Sequence, residues 1–437
     1  MTGGRGRGAG ALAWAAGAFA LTAAVVVVYR PALGSYFFND DFQWLERART
    51  FDAANLLDLS RYDHFYRPIV EIYFYLGERL FGCAALPFHL VSLGIHLINT
   101  LALYLFARAL TGNRFAAALT AMLFCVQDGY VEAVAWVAAI TDLLPSLWYL
   151  LAMWLHLLFL QRARFVFYVG TMAAFIACAL THESSATLLA MMLALEATLI
   201  AERHAGPVDT KSIAGRALWY VPFAALLAGS LAITYVVNSR SYLIREGHYR
   251  FGWHAVPHAL QYILSLYIGP RIVASYVAIV LVTAALLWRG TPRARFFVAW
   301  IFVTIAPYSF FTWGNVSRYL YLPAAGFALL LADLIVQAEI VAGTWIPRRM
   351  ARAAAAALGC ALAVRFAVFA EKSTMSFRER TRPYERLVAA ARNANPAVAP
   401  GGSAYVDAAD LEDIPEMYRN VAASAAYCRS DIHIVAR

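Results

Sequence analysis

About eleven apolar runs, each roughly 20 residues long, recur along this 437-residue chain, and nothing else constrains its fold as strongly. A run of that length crosses a bilayer as a helix, because a helix satisfies its own backbone groups where water is absent. The runs fall near 11–29, 88–107, 114–127, 141–160, 165–181, 184–201, 217–237, 271–288, 296–312, 319–338 and 352–370. Only 14% of the residues are charged, against about a quarter in a soluble domain, and 62% are hydrophobic. The chain therefore reads as an all-α polytopic membrane protein. Its net charge of +9 is no sign of a nucleic-acid partner, because the arginines collect in short connections between apolar runs.

Those connections set the topology. Arg5 and Arg7 place the N-terminus in the cytoplasm, and the first run is too long for a typical signal-peptide core, so it reads as an uncleaved anchor. Arg108 with Arg114, Arg162 with Arg164, and Arg203 with Lys211 and Arg216 then lie inside. So do Arg289, Arg293 and Arg295, followed by Arg348, Arg349 and Arg352. An odd number of spans leaves the C-terminus outside. The stretch 255–268, ending at Gly269-Pro270, reads as an interfacial or re-entrant helix, since a full span would put Arg293 and Arg295 outside.

Two units follow from this topology: a transmembrane domain over 1–370, with a first outer loop at 30–87, and an outer tail over 371–437. In the loop, Tyr66-Arg67-Pro68 opens an amphipathic stretch suited to a membrane surface. In the tail, 403–407 and 431–435 alternate like short strands around a helical 415–428, which predicts a small α/β subdomain. The five cysteines show no metal-ligand spacing. Cys83 and Cys428 share a side and are read as two unpaired thiols, a disulfide being the alternative.

The polar groups of interest gather on that outer side. Asp40 and Asp41 follow the first span, Gln127, Asp128 and Glu132 follow the third, and Asp142 opens the fourth. His182 and Glu183 stand between the fifth and sixth, Arg240, Arg245, His248 and Arg250 follow the seventh, and Arg318 with Tyr319 and Tyr321 opens the tenth. Carboxylates serve as general bases or bind divalent cations, and guanidinium groups match phosphate oxygens. Bland readings stand beside these. Asp40, Asp41, His182 and Glu183 can be helix caps, and Asp128, Glu132 and Asp142 can be solvated loop residues. Arg318 can be an interfacial snorkeller, and the 240–250 loop can be solvated or hold anionic lipid. His89 and His96, seven residues apart on one helix face, read as packed contacts between helices.

The order Asp40-Asp41, Tyr66-Arg67-Pro68 and Pro87-Phe88-His89-Leu90-Val91 with His96 resembles the start of the GT-C membrane glycosyltransferases. The likeness is greatest to the TMTC type of protein O-mannosyltransferase and its bacterial relatives. Glu132-Ala133-Val134-Ala135-Trp136-Val137 with Asp142-Leu143-Leu144, and Arg318-Tyr319-Leu320-Tyr321-Leu322-Pro323, carry it to about residue 330. The resemblance implies a transferase that takes a sugar from a polyprenyl-phosphate donor on the outer face. Direct displacement would invert the anomeric centre, and the alanine-rich, lysine-poor composition suggests a GC-rich bacterial genome and so an inner membrane. It implies Asp40 or Asp41 as base and Arg318, with Tyr319, at the donor phosphate, where Arg245 and Arg250 are further candidates. Asp128, Glu132, Asp142, His182 and Glu183 are then candidates for acceptor or divalent-metal contact. The acceptor, whether protein, lipid or glycan, stays open.

The chain departs from the family in three places. Gln127-Asp128 replaces a His-Pro, His182-Glu183 replaces a Lys-Glu, and the tetratricopeptide repeats of TMTC proteins are absent. A flippase or transporter, or a non-catalytic relative, is the competing reading. The spans are mostly clean and their polar residues sit at outer ends rather than at the midplane, which favours surface chemistry.

Overall fold

Helices stand at each of the eleven predicted places. The computed structural model describes residues 4–62, 64–203, 216–267, 272–313 and 316–436, with backbone only over 4–15 and at 203. Helices α1 (Gly4–Tyr29), α2 (Asp40–Arg49), α3 (Pro68–Phe81), α4 (Ala85–Thr111) and α5 (Arg114–Cys125) lead to a short α6 (Val131–Ala135). Then come α7 (Ile140–Arg162), α8 (Phe165–Ala179), α9 (Leu188–Arg203), α10 (Val221–Asn238) and the single turn α11 (Tyr242–Arg245). They are followed by α12 (Ala255–Leu264), α13 (Val273–Arg289), α14 (Pro292–Ser309), α15 (Tyr321–Ala342) and α16 (Arg348–Ala394). Among the described residues, seven helices are long and apolar enough to cross a membrane, and α8 and α13 are shorter apolar helices. The protein is a multi-pass membrane protein.

Two details refine the predicted spans. The third is broken: α5 ends at Cys125, and the chain bends by 42° into Asp128–Ala135. Gln127 fixes the break, since its Nε2 donates to the Leu266 carbonyl at 3.0 Å and its Oε1 accepts the Gly129 N–H. Helix α12 has ten residues, about 15 Å, and is too short to cross, as its interfacial or re-entrant reading requires. Gly269-Pro270 and Lys211 lie outside the described residues, as do the side chains of Arg5 and Arg7.

Polar side chains inside the bundle are tied between helices. His96 on α4 reaches the Tyr321 hydroxyl at 2.8 Å and the Cys125 carbonyl at 3.0 Å. Asn99, one turn on, donates to the Leu143 carbonyl at 3.0 Å and the Tyr321 hydroxyl at 3.1 Å. These bonds join α4, α5, α7 and α15, and they matter because an unpaired polar group costs most where no water can replace its partner. His89 likewise meets the Ser35 carbonyl at 3.2 Å. Gly326 lets α15 approach α14, since a Cβ there would stand 2.8 Å from Trp300 Cδ1.

Helix α16 carries the tail to the site. Its 47 residues span about 70 Å, far more than a bilayer core, so the boundary expected near residue 370 falls inside one continuous helix. The emerging half packs Phe377 and Tyr384 edge-on against Phe38. Beyond it lie β1 (Ser403–Val406), α17 (Ala408–Leu411), α18 (Glu416–Ser424) and β2 (His433–Ala436). The strands pair in parallel, with Ser403 opposite His433 and Val406 opposite Ala436, which is the predicted α/β subdomain. One expectation is overturned. Cys83 and Cys428 form a disulfide, with Cα atoms 5.7 Å apart. The 345 residues between them hide the pairing, because it depends on α16 returning the tail to the α3–α4 connection.

Candidate active site

The two adjacent aspartates face different ways, as successive helical residues must. Asn39, at φ 46°, turns the chain into α2. Asp41 is 1% exposed; its Oδ2 accepts the Phe38 N–H at 2.8 Å and its Oδ1 the Ala138 N–H at 2.6 Å. Burial raises its carboxyl well above the usual range, while the two backbone donors act against that shift. The Trp136 indole donates to the Phe38 carbonyl at 3.0 Å, so Asp41 and Trp136 together fasten the first loop to residues 136–138. Asp40 is half-buried instead, and it accepts a hydrogen bond from the Tyr418 hydroxyl of α18.

Across from Asp40 stands Arg318, on the tight turn Ser317–Leu320 that leads into α15. Its guanidinium lies 4.6 Å from the Trp136 ring centre and 5.1 Å from that of Tyr319. Its Nε is 3.4 Å from Oδ2 of the buried Asp142, an oxygen that has no hydrogen-bond partner. Asp40 and Asp142 both act electrostatically on Arg318. Tyr319 stacks on Tyr308 at 4.2 Å and on Phe311 at 5.9 Å, which holds this turn against the end of α14.

A second arginine closes the far side. Arg67 grips Glu183, with Nη2 2.7 Å and Nε 3.1 Å from Oε2. The neighbouring His182 is buried and accepts the Ser184 N–H at 3.0 Å. Burial, reinforced by the charges of Arg67 and Arg318, pushes its imidazole well below the usual range, so it stays neutral. Glu132 pairs with Arg380 of α16, whose guanidinium lies 4.9 Å from the Phe38 ring. Asp142 feels Arg318, Arg67, Glu132 and Glu183 together.

The structure thus gathers Asp40, Glu132, Asp142, Glu183, Arg318 and Tyr319 into one cluster of interacting groups, with His182 at its edge. Asp128 is elsewhere: its charged and phenolic neighbours are Arg365, Tyr29 and Tyr130. Arg245 and Arg250 are exposed and make no ion pair among the described residues. Their loop contributes Tyr242, which lies near Asp40 and Tyr319. Trp136 and Arg67 belonged to recognisable motifs without being singled out, whereas Tyr418 and Arg380, in the tail, carried no local signal. The ligand set does not suit a divalent cation. Glu132, Asp142 and Glu183 each face an arginine, and no group of three His, Cys, Asp or Glu among the described residues is placed to hold a metal.

No family model matches the chain. The mouse "Protein O-mannosyl-transferase TMTC1" is 32% identical over 154 residues, 31% of this chain and 16% of that protein. Its namesake Tmtc1 from Drosophila melanogaster is 28% identical over 200 residues, 43% of this chain and 21% of that protein. The matches thus cover only a small part of those relatives' length. ArnT from Cupriavidus metallidurans in the apo state aligns over 95% of this chain and 85% of its own, with a TM-score of 0.57 and 15% identity. The form bound to undecaprenyl phosphate gives 0.56 and 14%, over 94% and 85%. The chain is therefore built on the fold of ArnT, the GT-C arrangement that its motifs resemble.

Proposed function

We propose that this protein is an integral membrane glycosyltransferase. It moves a sugar from a polyprenyl-phosphate-linked donor to an acceptor hydroxyl on the extracytoplasmic side, in a bacterial inner membrane with the N-terminus inside. The observation that carries this reading is the convergence of Asp40 and Asp142 on Arg318. Asp40 is a carboxylate without an ion pair among the described residues, and Arg318 is oriented by Asp142 and Trp136. The undecaprenyl phosphate in the ArnT complex and the mannosyl-transferase names of the relatives support the class of donor.

The chemistry follows from the positions. Asp40 takes the proton of the acceptor hydroxyl as that oxygen bonds to the anomeric carbon. The bond from that carbon to the phosphate oxygen breaks through an oxocarbenium-like transition state, and polyprenyl phosphate leaves with the electron pair. Arg318 meets the charge that develops on the phosphate, and Asp142 holds the guanidinium in place while it does so. A single displacement inverts the anomeric centre. Asp41 keeps the loop that carries Asp40 in register. Arg67–Glu183 and Arg380–Glu132 brace the groups around Arg318, the latter from the tail helix.

The test is reconstitution of the full chain in liposomes with radiolabelled polyprenyl-phosphate hexoses. Transfer of label to a hydroxyl acceptor, inhibited by free polyprenyl phosphate, is the expected result. A protein that neither releases label nor is protected thermally by polyprenyl phosphate contradicts the proposal.

A further inference from the structure

At the end of the bundle opposite Asp40, a cavity of about 180 Å³ opens between the end of α7, the start of α8 and the chain entering α10. None of its residues belongs to the site described above. Its polar wall is a relay. The Tyr220 hydroxyl donates to Oε2 of Glu196, so its oxygen accepts the Nε2–H of His156, 3.0 Å away. A neutral imidazole has one N–H, which leaves Nδ1 of this 2%-exposed histidine as an acceptor, buried and without a partner. Arg216 holds the other carboxylate oxygen at 2.7 Å. The apolar wall is a cluster of rings, with Phe159 5.3 Å from Tyr168, and Tyr168 5.1 Å from Trp219.

The unpartnered acceptor nitrogen of His156 and the aromatic faces are complementary to an ammonium group, and Glu196, whose charge Arg216 already offsets, adds spare lone pairs rather than net charge. The mouth says where that ammonium comes from. Arg216 lines the cavity, and the exposed Arg162 and Arg164 flank its lining residue Ala163 in sequence; beside this arginine collar Phe165, Leu218 and Val221 expose large apolar side chains. That change from apolar surface to arginine marks the headgroup level of a bilayer. We propose that this cavity binds the headgroup of a phospholipid that carries a primary ammonium. The ammonium enters between the rings beside Glu196, the phosphate meets the arginine collar, and the acyl chains lie along α8 and α10. A primary ammonium fits better than a quaternary one, because it can donate hydrogen bonds to the carboxylate as well as face the rings.

Native mass spectrometry tests this on the full chain in detergent, after incubation with equimolar ethanolamine, choline and glycerol phospholipids of matched acyl chains. Ethanolamine lipid is expected to be retained about tenfold over the other two. Trp219→Leu and Glu196→Gln are each expected to abolish that preference. Trp219 is partly exposed, so its variant leaves the core packing intact, and gel filtration with thermal melting checks that both variants are folded. Equal retention of the three lipids, a preference for the choline or glycerol lipid, or a preference that survives both variants overturns the proposal. Displacement of the lipid by free phosphoethanolamine at the same concentration overturns the lipid assignment in favour of a soluble amine.

Discussion

The Tyr418 hydroxyl donates a hydrogen bond to Asp40, joining the C-terminal subdomain to the first loop across 378 residues of sequence. Burial and the Asp40 charge both raise the Tyr418 phenol, so it stays protonated and remains a donor at neutral pH. A hydrogen bond to a charged group contributes about 1.5–3 kcal/mol. Tyr418→Phe is expected to lower kcat about tenfold or more, because the base loses the group that holds it in place. The donor KM should stay close to wild type while the melting temperature falls by a few degrees, and steady-state kinetics with thermal melting on the purified variant separate these quantities.

The disulfide between Cys83 and Cys428 anchors that same subdomain to the α3–α4 connection. Thiol labelling under denaturing conditions should modify Cys125, Cys178 and Cys360 at once, and Cys83 and Cys428 only after reduction. Removing the bridge with Cys83→Ser should cost about 2–4 kcal/mol of subdomain stability. Limited proteolysis beyond residue 394 should read that loss before the transmembrane helices respond.

Arg318→Lys keeps a positive charge but loses the planar fork that faces both Asp142 and the Trp136 ring. Transfer is expected to fall about 10²-fold, with weaker protection by polyprenyl phosphate in thermal shift. Asp142→Asn should produce a smaller loss of the same kind, since it disturbs the orientation of Arg318 and leaves its charge.

Glu71 gives a pH dependence of stability. It lies in the first loop, where burial raises its carboxyl above the usual range while a hydrogen bond from Tyr62 at 3.2 Å opposes the shift. A raised carboxyl keeps its proton longer in the folded state, so stability is highest below the unfolded value of about 4.3. It then falls as pH rises through the raised folded value. Glu71→Gln mimics the protonated form. The variant should therefore melt higher than wild type at pH 7–8, and the two should converge near pH 4.

The helices were legible because apolar length and connection charge act locally, and all eleven predicted places hold one. Asp142 and Arg318, which lie in two motifs of the family order, meet as an ion pair, whereas Glu183 belongs to a departure from that order. What the sequence concealed depends on distant backbone. The roles of Asp40 and Asp41 are divided by the turn at Asn39 and by one N–H of Ala138, neither visible in an Asp-Asp pair. Asp128 lies away from the Arg318 cluster, beside Arg365, Tyr29 and Tyr130, where Gln127 is pinned to the Leu266 carbonyl across 139 residues. Tyr418 and Arg380 reach the site, and Cys428 reaches Cys83, only because α16 continues unbroken beyond the membrane.

The central claim is that Asp40 is the base and Asp41 a structural tie. It is tested most directly by measuring label transfer from a radiolabelled polyprenyl-phosphate sugar, alongside thermal melting, for Asp40→Asn and Asp41→Asn. Asp40→Asn should melt like wild type and lose about 10²-fold or more of its turnover. Asp41→Asn should lose about 1–3 kcal/mol of stability, because a backbone donor is left unpaired, yet keep measurable transfer when folded. Wild-type transfer by folded Asp40→Asn, or a folded but inactive Asp41→Asn, would contradict the account.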